Sequence, residues 1–395
     1  MIRRCPIARL GIIGGGQLAR MMIPAAAQLG CEVVILDPTP DSPAGQLASA
    51  QIVGSFDDGD SLRALAQRCD LTTFDIETIA TEPLLELAAA GHVILPAPEL
   101  LAVIQDKLVQ KQRLVDSGIP TAAFLALDEP DAASMMAFGL PLVQKARRGG
   151  YDGRGVAVFT DAVIEERMLP VPSLLERYVD FRCELAVMVA RSASGETRSY
   201  PVVEMVFDDR ANVLDLLLAP ARIDPAIALR AQALAEQTIK AFDGVGMFGV
   251  ELFLTRDNQL LVNEVAPRTH NSGHWTIEAC RTNQFEQHLR AIVGLPLGDT
   301  TQHSPAVMLN LLGAADANGD VVIEGLDEAL ALPGVAVHLY GKQIVRPYRK
   351  MGHVTVTAAD LEAALDLAER VRAVLHIAGS ITGRTGEQNN GAEPS

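Results

Sequence analysis

Short apolar runs and helical patterns take turns over the first hundred positions. Residues 8–13 form an apolar run that breaks into Gly14-Gly15-Gly16, and residues 17–29 then carry helical spacing. A second run at 32–36 stops at Asp37. A helical pattern over 61–69, a run at 71–76, a helical pattern over 82–90 and a run at 93–95 follow. This alternation predicts a doubly wound, parallel α/β sheet. Pro96 and Pro98 close the unit, and the spacing predicts one helix over 98–117, stopped at Gly118-Ile119-Pro120.

Further along, residues 121–182 read as a small α/β lid, with a strand carrying Lys145, a glycine loop and a second strand. Residues 183–295 mix strands with a helix over 225–242. From Gly249 the apolar alternation predicts a hairpin turning at Asp257-Asn258, which sets Glu251 opposite Glu264. Like charges facing across a ladder repel. A divalent cation between them would remove that cost, and Asn263 adds a neutral oxygen, a donor set that suits Mg2+. The other reading puts both glutamates in solvent. The polar run Arg268-Thr269-His270-Asn271-Ser272-Gly273-His274 argues against it. The expected division is 1–98, a Rossmann-like domain; 99–298, including the lid; 299–380, a C-terminal domain; and 381–395, a tail with the Gly, Asn, Glu and Pro composition of disordered segments.

Composition narrows the function. The chain has 395 residues, 49% hydrophobic and 21% charged, which is ordinary for a soluble protein of two or three domains. A net charge of -16 argues against a nucleic-acid partner, though a local basic pocket could still hold a nucleotide. No apolar run approaches the roughly 18 residues of a membrane span. Five scattered cysteines without a C-x-x-C spacing suggest buried thiols in a reducing cytoplasm.

Four motifs carry chemistry. Gly14-Gly15-Gly16-Gln17-Leu18-Ala19, with Asp37 ending the next strand, fits a dinucleotide loop. Glycines also serve turns that bind another phosphate or nothing, so this loop alone leaves the ligand open. In Lys145-Ala146-Arg147-Arg148-Gly149-Gly150-Tyr151-Asp152-Gly153-Arg154-Gly155 the glycines can turn successive amides onto phosphate oxygens, and the lysine and arginines add charge. Glu176-Arg177-Tyr178-Val179, then Glu184, has the shape of an adenine hinge followed by a ribose carboxylate. Lys342, Arg346, Arg349 and Lys350 gather four cations within nine residues of an acidic protein, which points to an anionic ligand.

On these residues the chain resembles the ATP-grasp superfamily, and within it the N5-carboxyaminoimidazole ribonucleotide synthetases, from Gly11 to about Val356. The most specific signatures are the Arg148–Gly155 stretch, Asn263-Glu264-Val265-Ala266-Pro267-Arg268 with the run to His274, and Arg346-Pro347-Tyr348-Arg349-Lys350-Met351-Gly352-His353. The resemblance implies an ATP-grasp fold behind a Rossmann-like domain, and a ligase of purine biosynthesis. Such an enzyme phosphorylates bicarbonate with ATP and carboxylates 5-aminoimidazole ribonucleotide, releasing ADP and phosphate. It also implies a cytoplasmic homodimer that binds small molecules and neither nucleic acid nor membrane. Carried over by motif, Lys107 and Lys145 hold phosphates and Gly150 to Gly155 cover them. Glu176 to Val179 line adenine, and Glu184 meets ribose. Glu251 and Glu264 carry Mg2+ with Asn263 beside them. Arg268, His270 and Lys342 surround bicarbonate. Tyr151, Asp152, Arg154, Lys342 and Arg349 meet the ribonucleotide, as does Glu77.

The chain departs from the family pattern at Phe207, where a histidine is usual, and at Phe74-Asp75-Ile76-Glu77-Thr78, where Tyr-Glu-x-Glu-Asn is usual. Val156 and Thr269 likewise replace the common Gln and Pro. Three alternatives stay open: another ATP-grasp ligase of the formate-dependent glycinamide ribonucleotide transformylase type, an NAD-dependent oxidoreductase built on the Gly14 loop, and a nucleotide sensor without turnover.

Overall fold

The computed structural model describes residues 7–150, 155–161, 164–208 and 213–380. At the N-terminus four parallel strands lie in the order Ala50–Val53, Glu32–Asp37, Arg9–Ile13, Leu71–Phe74. Their side chains alternate between two cores, as a sheet covered on both faces requires. Leu10, Ile12 and Ile35 meet Leu18 and Met22 on one face. Ile13, Val34 and Phe74 meet Leu62, Leu65 and Leu84 on the other. The first core also takes in Phe285 and Leu289, so helix Gln284–Ile292 from the middle of the chain packs against the first helix, Gln17–Gln28.

Two expected strands differ. The run at 93–95 gives only one parallel bridge, Thr72 with Ile94. The strand begun at Leu71 stops at Phe74, because Asp75 turns into the glycine loop. Strand Ala50–Val53 was not expected from the pattern: it is an edge strand, largely exposed, and has no apolar alternation.

The glycine loop holds the chain's own anions. The Gly15 amide donates to Asp37 Oδ2 at 2.8 Å, and the Gly16 and Ala19 amides donate to Asp75 Oδ2 at 2.9 and 3.2 Å. Gly14 has φ +98°, and a Cβ there would stand 1.7 Å from Asp75 Oδ1. A pyrophosphate at this helix N-terminus would have to displace two carboxylates, which argues against the dinucleotide reading.

The helix expected over 98–117 is two helices, Pro98–Gln105 and Lys107–Asp116. Asp106 between them is extended and caps the second, accepting from Leu108 N at 3.1 Å and Val109 N at 3.5 Å. Aspartate is a strong N-cap and a poor interior helix residue, and here a guanidinium also holds it.

The lid sheet runs Phe124–Leu127, Ser173–Arg177, Leu142–Ala146, Val156–Phe159, all antiparallel. The large sheet runs from the hairpin Leu260–Ala266 and Gly246–Thr255, through Phe181–Arg191, Val203–Asp208 and Val213–Ala219, to Ala306–Leu312, Lys350–Thr357 and Val335–Leu339. One continuous sheet therefore joins the middle of the chain to its C-terminal part. Helix Pro225–Phe242, at its expected bounds, buries Ile227, Ala231, Ala235 and Ile239 beneath it. Cys31 and Cys280 are buried thiols, whereas Cys69 and Cys183 are only partly covered. Cys5 and the tail at 381–395 lie outside the described residues.

Candidate active site

The hairpin sets the site. Leu254, Phe253 and Leu252 pair with Leu260, Leu261 and Val262, and Glu251 then pairs with Glu264, so the second strand holds one extra residue, Asn263. This bulge keeps the expected pairing of the two glutamates and re-aims Asn263. Lysines converge on it. Lys107 Nζ meets Glu264 Oε2 at 2.5 Å, and Lys145 Nζ donates to Asn263 Oδ1 at 2.8 Å.

The two facing carboxylates take opposite electrostatic states. Lys107 holds Glu264 well below the usual carboxylate range, against the effect of burial. Burial, and then the charge on Glu264, push Glu251 up. Burial also raises Glu184, on the neighbouring strand, to about 7. Two carboxylates with an amide oxygen beside them make an incomplete cage, open to phosphate and water oxygens, as Mg2+ sites usually are. Among the described residues no group of three or more His, Cys, Asp or Glu forms a complete one.

Behind these groups Glu176 lies between two ammonium groups, 2.9 Å from Lys145 Nζ and 3.0 Å from Lys111 Nζ. Burial opposes its charge, but the two lysines hold it below the usual range. Burial lowers Lys111 to about 8 against the pull of Glu176. Lys111 went unnoticed in the sequence, although it lies four residues after Lys107 on one helix face.

The glycine loop is anchored at its root. Arg147 donates from Nε to Asp106 Oδ1 at 3.1 Å and from Nη2 to Asp106 Oδ2 at 2.7 Å. Arg148 Nη1 reaches Gln105 Oε1 at 3.4 Å. Gly150 and Gly155 stand close together, since a Cβ on Gly155 would lie 3.3 Å from Gly150 Cα. Tyr151, Asp152, Gly153 and Arg154 lie outside the described residues.

His270 also approaches the glutamates, with Nε2 3.8 Å from Glu251 Oε1. Gly249 leaves it room, because a Cβ there would stand 2.9 Å from His270 Cβ. The buried side chain of Gln284 clamps the His270 backbone, accepting from its N–H at 2.8 Å and donating to its carbonyl at 2.9 Å. Arg268 pairs with Glu77 of the N-terminal domain at 2.8 Å. Gln105 fixes that segment through the carbonyls of Glu77 and Ile79, each at 2.7 Å. Gln105 and Gln284 had no signal in the sequence, because their partners are distant along it, as is the Arg147 partner of Asp106.

Other expected residues lie on the lid, the hinge and the C-terminal loop. The Arg177 guanidinium stacks over Phe138 at 4.8 Å and donates to Gly139 O, so it faces the end of the lid helix, Ala132–Phe138. Tyr178 is exposed, and Tyr178 with Val179 borders an open cavity of about 460 Å³ that also meets the hairpin turn at Thr255–Asp257. Lys342 donates to Lys350 O at 2.6 Å and lies over the Tyr340 ring. Arg349 is turned onto Ile344 O. Their loop meets the N-terminal domain where Gln46 Nε2 donates to Gly341 O at 3.0 Å. Phe207 packs against the cluster of Met188, Met205 and Leu217.

Three family models match successive parts of the chain. Residues 7–105 match the ribonucleotide synthetase preATP-grasp domain, 112–285 the ATP-grasp domain, and 306–367 the phosphoribosylaminoimidazole carboxylase C-terminal domain. The chain is 42% identical over 358 residues to an N5-carboxyaminoimidazole ribonucleotide synthase of Synechococcus elongatus, covering 89% of this chain and 90% of the relative. It is 41% identical to a phosphoribosylaminoimidazole carboxylase of Saccharomyces cerevisiae, where the match covers 89% of this chain and 64% of the longer relative. Among solved structures it is similar to the N5-carboxyaminoimidazole ribonucleotide synthetase of Thermotoga maritima, at 46% identity and a TM-score of 0.88 over 94% of this chain and 100% of that one. It is also similar to an Aspergillus clavatus N5-carboxyaminoimidazole synthase in complex with ADP and 5-aminoimidazole ribonucleotide, at 36% identity and a TM-score of 0.82 over 92% and 99% of the two chains.

Proposed function

Because the chain belongs to the N5-carboxyaminoimidazole ribonucleotide synthetase family of ATP-grasp enzymes, we propose that it carboxylates 5-aminoimidazole ribonucleotide with bicarbonate at the expense of ATP. The observation that carries the proposal is the pair Glu251 and Glu264, face to face on a bulged hairpin, with Lys107 and Lys145 converging on Glu264 and Asn263.

Bicarbonate is a poor acyl donor because its leaving group is hydroxide. Transfer of the γ-phosphoryl group to a bicarbonate oxygen releases ADP and makes that oxygen part of a phosphate leaving group. The exocyclic amine then attacks the carboxyl carbon, the C–O bond to phosphate breaks, and the amine loses a proton. The protein's share is positioning and charge neutralisation. Lys107 and Lys145 would turn from their glutamate and asparagine partners to the polyphosphate. Glu251 and Glu264 would hold Mg2+, which when bound neutralises phosphate oxygens. The hinge at 176–179 and Glu184 would seat the nucleoside. Arg268 and His270 would orient the bicarbonate, and Glu77, Lys342 and Arg349 the ribonucleotide, with Tyr151, Asp152 and Arg154 closing over it. The proposal includes a homodimer in the cytoplasm. Its support is family membership; separately, among the described residues no helix is long and apolar enough to cross a membrane.

Bicarbonate labelled with 18O tests the chemistry. One labelled oxygen is expected in each inorganic phosphate released in the presence of the ribonucleotide. Phosphate carrying only solvent oxygen would mean that water attacks ATP, and would overturn the carboxyphosphate route.

A further inference from the structure

Helix Lys107–Asp116 places a second lysine behind the phosphate-facing groups. Lys111 is 3% exposed, and its ammonium bridges three separate segments. It donates to Thr121 Oγ1 at 2.7 Å where the lid begins, lies 3.0 Å from Glu176 Oε1 at the end of the lid strand, and reaches Val262 O at 3.4 Å beside the bulge. The other oxygen of Glu176 faces Lys145 at 2.9 Å, and Lys145 also reaches Asn263. One buried carboxylate is thus shared by two ammonium groups.

The sharing matters because an ion pair away from water is hard to break when one partner would be left alone. Without Lys111, the only ammonium within ion-pair distance of Glu176 among the described residues would be that of Lys145. A polyphosphate recruiting Lys145 would then strand a buried carboxylate. With Lys111 in place, Glu176 keeps a partner whether or not Lys145 turns away.

We propose that Lys111 is a positioning residue that balances the charge of Glu176 so that Lys145 stays available to the polyphosphate of ATP. This rests on the reading of the site as an ATP site. Substitution should therefore act on nucleotide affinity more than on turnover, and the loss should be partly reversed by removing the charge it balances.

The test uses the full-length enzyme, following ADP release for KM and kcat and calorimetry with ADP for binding. Lys111→Met is expected to raise KM for ATP and the Kd for ADP at least about tenfold, with kcat within about threefold of wild type. Adding Glu176→Gln to Lys111→Met should lower KM again by at least about threefold relative to Lys111→Met alone, a coupling that a purely structural role would not produce. An unchanged KM in Lys111→Met overturns the proposal, as does a double variant worse than the single one. If Lys111→Met does not fold, Lys111→Gln, which removes the charge and keeps a hydrogen-bond donor, decides. Its KM for ATP should rise at least about tenfold, and an unchanged KM contradicts charge balancing. Failure of the wild-type enzyme to bind ADP or turn over ATP would instead sink the ATP reading itself.

Discussion

Replacing Glu264 with glutamine lowers kcat/KM for ATP-dependent carboxylation by about a thousandfold and leaves the fold intact, the scale expected when a preorganised charge at a phosphoryl-transfer centre is removed. The side chain keeps its shape and one oxygen, so the hairpin pairing with Glu251 survives. Its charge is lost, and with it half of the carboxylate set for Mg2+. The substitution also removes the charge that helps push Glu251 up, so Glu251 becomes easier to ionise and can answer the ammonium of Lys107. The expected signature is therefore a large loss of turnover and a raised requirement for Mg2+, with a melting temperature close to wild type. Steady-state rates across a Mg2+ titration, with scanning calorimetry beside them, measure both. Wild-type activity in this variant would contradict the metal assignment.

Asp106→Ala is expected to be the most damaging substitution outside the carboxylate pair. It removes the cap of helix Lys107–Asp116 and leaves Arg147 without its bidentate partner. Burial works against Asp106, yet the Arg147 guanidinium and two helix amides hold its carboxyl below the usual range, so the ionised form is built into the fold. Loss of a cap together with a largely buried charge pair amounts to roughly 3 kcal/mol. Function should suffer as well, because Lys107 begins the uncapped helix and Arg147 roots the glycine loop. The expected result is a lower melting temperature with a raised KM for ATP. Asp106→Asn, which keeps a cap oxygen, should recover part of the stability and little of the pairing. An Asp106→Ala protein as stable as wild type would show that neither contact matters.

The sequence disclosed most where chemistry and local pattern coincide. Glu251 and Glu264 could be paired because alternation and an Asp-Asn turn fix a hairpin register locally. The extra residue at Asn263 could not be foreseen, because its effect depends on what the lid presents to it. Helical spacing continues on both sides of Asp106, and the carboxylate at the break is held by Arg147, 41 positions away. Lys111 and Gln284 look like ordinary helix residues until folding buries them against Glu176 and His270. The Gly14 loop left its ligand open in the sequence. Its glycines fit a ligand motif, but the space they leave is taken by Asp75 and Asp37. Arg177 looked like a hinge contact, and the lid helix claims its side chain.

The central claim, an ATP-dependent carboxylase, is tested most directly by ADP formation from ATP with Mg2+ and labelled bicarbonate, in the presence and absence of 5-aminoimidazole ribonucleotide. The predicted result is strong stimulation by the ribonucleotide, with label appearing in an acid-labile product in step with ADP. ADP formed at the same rate with and without the ribonucleotide, and no label in product, would contradict it.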